Sequence, residues 1–250
     1  MFFPEIFALL LGACAGSFLN VCIYRIPRQE SVVFKPSHCP ECREKLKFWE
    51  LVPVLSFLVL RGKCRSCGAR IALQYPLVEV ITAVLFYFSY KSWSFTWQGA
   101  AMVLFFALLI TAAFIDFKHQ IIPDKLAVLG IIAGLPLAWL VSADRLKSGL
   151  LGFLAAGAIM LAIALASRGG MGGGDVKLSA VMGLFLGWPA VLVALFLAFL
   201  AGGAVGLFLL ATGRKSRKDA VPFGPYLALG GVVSAFEGYR IIEWYLGMVN

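Results

Sequence analysis

Apolar stretches long enough to cross a hydrocarbon core recur along this chain, and that recurrence limits its fold more than any other feature. A helix that spans a bilayer needs about 17–25 mostly apolar residues. Spans are read at Glu5–Tyr24, Leu77–Tyr90, Trp97–Ile115, Leu126–Val141, Leu150–Ala166, Val176–Leu186, Ala190–Ala211 and Pro225–Tyr245. In lipid every backbone polar group must be satisfied within the protein, so the pattern predicts an all-α polytopic membrane protein of about eight transmembrane helices. Composition agrees: 61% of residues are hydrophobic and 14% charged, against about 45–50% and 25% in soluble domains. The first stretch lacks a basic lead-in and is followed by Arg25 and Arg28, so it reads as an anchor and not a cleaved signal. The stretch Val176–Leu186 is short, and Trp188-Pro189 follows it, which suggests a tilted or interrupted helix packed inside the bundle.

The placement of charge decides what a net charge of +9 means. Basic residues cluster between 25 and 70 and again at Arg214–Lys218. Threading the spans from an outside N-terminus puts 25–76, 116–125, 167–175 and 212–222 on the cytoplasmic side, with Lys177 at its edge. Of the 22 lysines and arginines, only Lys91, Arg145, Lys147 and Arg240 fall elsewhere, the asymmetry expected of cytoplasmic loops. The charge therefore points to membrane lipid, and no nucleic-acid partner is expected. The chain divides into a first helix over 1–24, an insertion over 25–76, and a bundle over 77–250. Gly130, Gly134, Gly149, Gly152, Gly157, Gly202, Gly203 and Gly206 are read as sites of close helix packing.

The insertion is small for a domain in water, and such domains usually need a metal or a disulfide. A cytoplasmic location disfavours disulfides. CPEC at 39–42 and CRSC at 64–67 supply Cys39, Cys42, Cys64 and Cys67 at nearly zinc-ribbon spacing. Two knuckles at one end of a small sheet would hold a structural Zn²⁺ in a closed tetrahedral shell. A redox dithiol pair and free thiols are the other readings of these residues, but neither explains two CxxC units in one small domain. His38 could be an alternative ligand, though four cysteines already complete the shell.

Among the few acids of the bundle, Asp116 in AAFIDFKHQIIPD and Asp175 in RGGMGGGDVKL stand where ionisable groups mark functional sites. Asp116 ends one span, and two further crossings return the chain to the same face just before Asp175 opens another. Two carboxyl groups close together cannot easily both ionise, so one keeps a proton while the other activates water. Gly172, Gly173 and Gly174 would let an extended substrate backbone approach the acid. The alternative is that both acids cap helix ends at the interface. Asp124 fits an N-cap. Glu79 either pairs with a basic group or helps position substrate, while Glu237 and Glu243 would pair with Arg240 along one helix face.

GSFLNVCIYRIP, the two CxxC units, LRGKCRSCGARIALQYPLVE, DFKHQIIPD and GMGGGDVKL follow one another in order, and together they resemble the bifunctional type IV prepilin peptidase family from about Gly16 to the last span. The resemblance implies an eight-helix bundle in the bacterial inner membrane, with the zinc insertion and the catalytic pair Asp116 and Asp175 on the cytoplasmic side. It implies cleavage of a short basic leader from prepilins and pseudopilins after its final glycine. It also implies N-methylation of the new terminus with S-adenosylmethionine. No glycine-rich nucleotide fingerprint appears, so the segment Gly16–Pro27 and the insertion are the expected neighbourhood of methyl transfer. Two rival functions remain from the residues alone. A proton-coupled transporter would leave the GGGD loop and the cysteines unexplained, and a zinc-bearing membrane assembly protein would leave the acids idle.

Overall fold

The computed structural model describes residues 3–34, 36–167, 170–214, 216 and 221–249. Among them are nine α-helices: α1 (Phe3–Arg25), α2 (Leu55–Val59), α3 (Gln74–Trp93), α4 (Trp97–His119), α5 (Asp124–Val141), α6 (Ala143–Ala166), α7 (Gly173–Leu186), α8 (Ala190–Ala211) and α9 (Gly224–Val249). All but α2 coincide with a stretch read as a span. By length and apolar character α1, α4, α5, α6 and α8 are able to cross a membrane. Of the basic cluster Arg214–Lys218, Lys215, Arg217 and Lys218 lie outside the described residues, as does Arg168.

The chain forms two compact units that divide between Phe95 and Thr96. In the first, α1 and α3 run antiparallel. Lys91 at the end of α3 reaches Glu5 at the start of α1, Nζ to Oε1 2.7 Å, and at the other end the Asn20 amide donates to the Tyr75 carbonyl at 3.0 Å. The helices meet through glycine: a Cβ on Gly12 would lie 2.7 Å from Ala83 Cα, and one on Gly16 2.7 Å from Glu79 Cα. Small residues of this kind let helix backbones approach in a membrane. Between the helices, the insertion holds a 3-10 turn at Phe48–Leu51 and the short α2, neither of which contributes a buried residue. The small sheet expected there is not formed. Among the described residues only two isolated bridges occur, His38 with Lys45 and Lys63 with Arg70, because each tight knuckle reverses the chain before a strand can extend.

In the second unit the short α7 is the central element, packed against α4, α5, α6, α8 and α9. Every residue from Leu178 to Leu186 is buried. Its 14 residues reach only about 21 Å at 1.5 Å per residue, short of a hydrocarbon core of about 30 Å. Gly149 and Gly152 of α6 lie directly on it: a Cβ there would meet the Leu184 carbonyl oxygen at 2.7 Å and that of Gly183 at 2.5 Å. Gly203 and Gly206 of α8 are different, with nothing within 4 Å of an added Cβ, so close packing does not explain them. Thr96 caps α4 by accepting from the Gly99 N–H, and Gln120 ends it in the left-handed conformation with φ 53°. The N-cap of α5 is Pro123, with Asp124 one residue later in the first turn. This corrects the cap expected at Asp124, since proline's extended backbone already occupies that position.

Candidate active site and metal centre

Asp116 lies in the last turn of α4, one turn deeper in the helix than its sequence position suggested, and only 5% of it is exposed. Its Oδ2 accepts the backbone N–H of Gly224, the first residue of α9, at 2.7 Å. The N-terminus of a helix carries free N–H groups and a positive dipole end, both suited to a carboxylate. A Cβ on Gly224 would come within 2.9 Å of Asp116 Oδ2, so only glycine leaves room for this bond. Sequence reasoning missed Gly224, whose only signal is its place in VPFGPY just before the last apolar stretch.

Asp175 lies in the first turn of α7, with Gly172 as the N-cap residue. It stands within electrostatic reach of Asp116. The two acids, far apart in sequence, thus come close enough for the charge of one to act on the other. The linker between α4 and α5 helps hold them: a Cβ on Gly174 would meet Ile122 Cβ at 2.8 Å, which seats the start of α7 on this linker. Lys177 of α7 pairs with Asp124 of α5 at 2.6 Å on the exposed side of the same junction. Gly173 and Gly174 are helical, Gly173 has nothing within 4 Å of an added Cβ, and Gly172 lies beside Asp175, its own added Cβ 3.5 Å from Oδ2. A groove of about 280 Å³ between α5, α6 and α7, lined by Ala127, Ile131, Phe153 and Ala180 among others, flanks this junction without including either acid.

The four cysteines converge in the first unit. Their sulfurs all lie within 4.8 Å of one another, with Cys39 to Cys67 and Cys42 to Cys64 each 4.0 Å. A tetrahedral metal site with about 2.3 Å from metal to sulfur has edges of roughly 3.8 Å, so the set fits such an ion. Two similar knuckles bring them there. Cys39 donates to the Glu44 carbonyl and accepts from Arg43, each at 2.9 Å, while Cys64 donates to Ala69 at 2.8 Å and accepts from Gly68 at 2.9 Å. The left-handed residue is Arg43 in the first knuckle, φ 58°, and Gly68 in the second, φ 73°. Backbone N–H groups of Cys67 and Ser66 hold the Cys64 thiol down to about 7, which favours the thiolate that a metal needs. His38 is half-buried and not among the clustered ligands, with its ring nitrogen 3.3 Å from the Pro36 carbonyl oxygen.

Glu79 is buried, and its Oε2 accepts the Val54 N–H at 2.7 Å. Of the two roles open to it from sequence, pairing with a basic group is not found among the described residues. Arg240 bonds Glu237 at 3.1 Å.

Residues 10–93 match the Bacterial Peptidase A24 N-terminal domain, and residues 103–207 match the Type IV leader peptidase family. A prepilin leader peptidase/N-methyltransferase of Bacillus subtilis (strain 168) is 37% identical over 240 residues, covering 96% of each chain. The chain belongs to the prepilin leader peptidase/N-methyltransferase family. Another member, from Pseudomonas aeruginosa, is 34% identical over 95% of this chain and 92% of its own. A third, from Myxococcus xanthus, is 39% identical over 84% of this chain but only 64% of its own length. No solved structure matches. The two family domains of this prepilin peptidase relative fall one in each compact unit, and the peptidase segment holds both Asp116 and Asp175.

Proposed function

We propose that this chain is an intramembrane aspartic endopeptidase that removes the basic leader from type IV prepilins and pseudopilins after glycine and then N-methylates the new terminus. The observation that carries the reading is the convergence of Asp116 and Asp175 in one site of the second unit, with Asp116 held by the Gly224 N–H. Asp116 and Asp175 share the work: one carboxylate takes a proton from water as it attacks the scissile carbonyl, while the other, protonated, donates to the carbonyl oxygen. The bond from Gly224 fixes the Asp116 carboxyl in orientation, so no reorganisation is needed as charge develops. Gly172 and Gly173 leave space beside Asp175 for the substrate main chain, while Gly174 is taken up by its contact with Ile122.

Cys39, Cys42, Cys64 and Cys67 hold a structural Zn²⁺, which orders an insertion otherwise short of buried apolar residues. S-adenosylmethionine supplies the methyl group. The first unit has acceptors to offer an amine or a cationic donor, since Asn20 Oδ1 and Gln74 Oε1 are buried without hydrogen-bond partners. The division proposed is a first helix over 1–24, the zinc insertion over 25–76 and the peptidase bundle over 77–250. The protein sits in the bacterial cytoplasmic membrane, in contact with lipid, with insertion and acids facing the cytoplasm. Incubating purified protein with a leader-bearing prepilin tests the reading. Shortening of the prepilin, then a mass gain of one methyl group when S-adenosylmethionine is added, is expected; an intact substrate would overturn it.

A further inference from the structure

The first unit contains a buried acceptor set that the peptidase chemistry does not use. Asn20 is 2% exposed, and its amide nitrogen donates to the Gly16 and Tyr75 carbonyls at 3.3 and 3.0 Å. Those two bonds fix which end of the amide is which, because reversing it would set oxygen against oxygen. Oδ1 therefore points away from both carbonyls as an acceptor without a donor. Gln74 Oε1, next in sequence to Tyr75, is buried and equally unpartnered. Glu79 lies about one turn further along α3, against Gly16, and among the described residues the one hydrogen bond its carboxyl accepts comes from the Val54 N–H. Buried polar groups are almost always satisfied, and an orphaned one calls for a specific explanation.

The group that closes this cluster is itself under strain. Val54 adopts φ 60°, ψ −48°, a combination that a β-branched L residue resists. Strained backbone that persists over a buried polar cluster is a feature of ligand clamps. The Val54 N–H is the one main-chain donor bound to Glu79, so a ligand with stronger donors can take its place and release the strain.

We propose that Asn20, Gln74 and Glu79 form a binding site for a primary ammonium group, closed in this structure by the Val54 latch. The set consists of two neutral oxygens and one carboxylate, with no cation among the described residues bonded to the carboxyl. An ammonium offers three donors and one positive charge, and matches both the count and the sign. The proposal rests on the methyl-transfer reading, in which two ligands carry such a group: the freshly cut peptide, at its α-amine, and the methyl donor, on its methionine end. Both present the same chemistry to the site.

The test uses full-length protein in nanodiscs, a pre-cut prepilin peptide with a free N-terminal phenylalanine, and S-adenosylmethionine. Glu79→Gln keeps an acceptor for Val54 and removes the charge. A lost charge-assisted bond raises KM for the ligand that binds there by roughly ten- to a hundred-fold. A rise for peptide alone assigns the site to the peptide amine, and a rise for the methyl donor alone assigns it to the methionine end. Unchanged KM for both overturns the proposal. Wild-type zinc content and melting temperature confirm that the variant is folded, and Gln74→Met, which removes one acceptor at the rim, serves as the second variant. If the wild-type protein transfers no methyl group, the methyl-transfer reading itself has failed. The site is then judged by calorimetry with phenylalanine amide: binding lost in Glu79→Gln supports it, and equal binding in both proteins overturns it.

Discussion

Gly152→Ala is the substitution that most directly tests whether the position of α7 governs the reaction. An added Cβ would lie 2.5 Å from the Gly183 carbonyl oxygen and 3.0 Å from Gly187 C, whereas real Cβ atoms essentially never approach within 3.0 Å. The obstacle is backbone, so no rotamer change relieves it, and α6 and α7 must separate by about half an ångström. Overpacking of this kind costs about 1–3 kcal/mol, partly offset by the roughly 1 kcal/mol that alanine gains over glycine in a helix. A net loss of up to about 2 kcal/mol lowers the melting temperature of a chain this size by up to roughly 4–8 °C. Because the start of α7 is seated on Ile122 through Gly174, a shift of the helix changes the spacing of Asp175 and Asp116. A misplacement near 1 Å can cost on the order of 10²-fold in rate, so cleavage should fall by about one to two orders of magnitude, mainly in kcat. Gly203→Ala is the control, with nothing within 4 Å of its Cβ, and propensity alone should leave it unchanged or slightly more stable. Prepilin cleavage measured by gel shift, with melting followed by fluorescence in detergent, reads both quantities. Wild-type stability and rate in Gly152→Ala would refute the argument that this contact sets the site.

Asp116→Asn and Asp175→Asn should each abolish cleavage in stably inserted protein while sparing methylation of a pre-cut prepilin; full peptidase activity in either defeats the proposed dyad. Gly224→Ala, which places a Cβ 2.9 Å from Asp116 Oδ2, should reduce cleavage by roughly tenfold or more with zinc content unchanged, and a wild-type rate would show that the Gly224 bond does not matter. Metal analysis of protein never exposed to chelator should find one zinc per chain, and Cys64→Ser should make the insertion sensitive to protease before the helices are cut. In metal-free protein the Cys64 thiol, held down to about 7, is mostly thiolate above that pH and thiol below it. Its alkylation should therefore fall off as pH drops through 7, whereas protons compete with zinc well above that pH too, because the Cys42 thiol beside it is pushed up to about 12. An alkylation profile centred near the ordinary thiol value of about 8.5 would contradict this.

The parts of the fold that were legible in the sequence are those set by solvent. Lipid demands helices of a minimum length, and the apolar stretches therefore mark where long helices lie, to within a few residues. What solvent does not set was harder to read. The start of α6 at Ala143 precedes the apolar stretch because Ser142 caps it by accepting from the Arg145 N–H at 3.0 Å, and the guanidinium of Arg145 is spent on the carbonyls of Phe185 and Leu186 at the end of α7. A cap of this kind allows a charged turn to be helical where hydropathy predicts a loop. Glycines were read alike, but only geometry separates Gly149 and Gly152, which touch another backbone, from Gly203 and Gly206, which touch nothing. The closest contact of the first unit, through Gly12 and Gly16, went unread because those glycines lie in a run that already counted as an apolar span.

The candidate site divides along the same line. Asp116 and Asp175 could be found because an acid inside an apolar chain is conspicuous, and the four cysteines because ligand spacing is local. Their supports were hidden because they come from elsewhere in the chain: the Gly224 N–H reaches Asp116 across 108 residues, and the Val54 N–H reaches Glu79 across 25. A backbone donor leaves no trace in residue identity except where, as at Gly224, the side chain must be absent. This bears on the choice between peptidase and proton relay. A relay needs acids that exchange protons freely with a chain of waters or side chains, whereas a hydrolytic dyad needs carboxyls held still. Asp116, buried and tied by a helix N-terminus at 2.7 Å, is held as a reacting group is held, and that is the physical reason for preferring hydrolysis to proton transport at this pair.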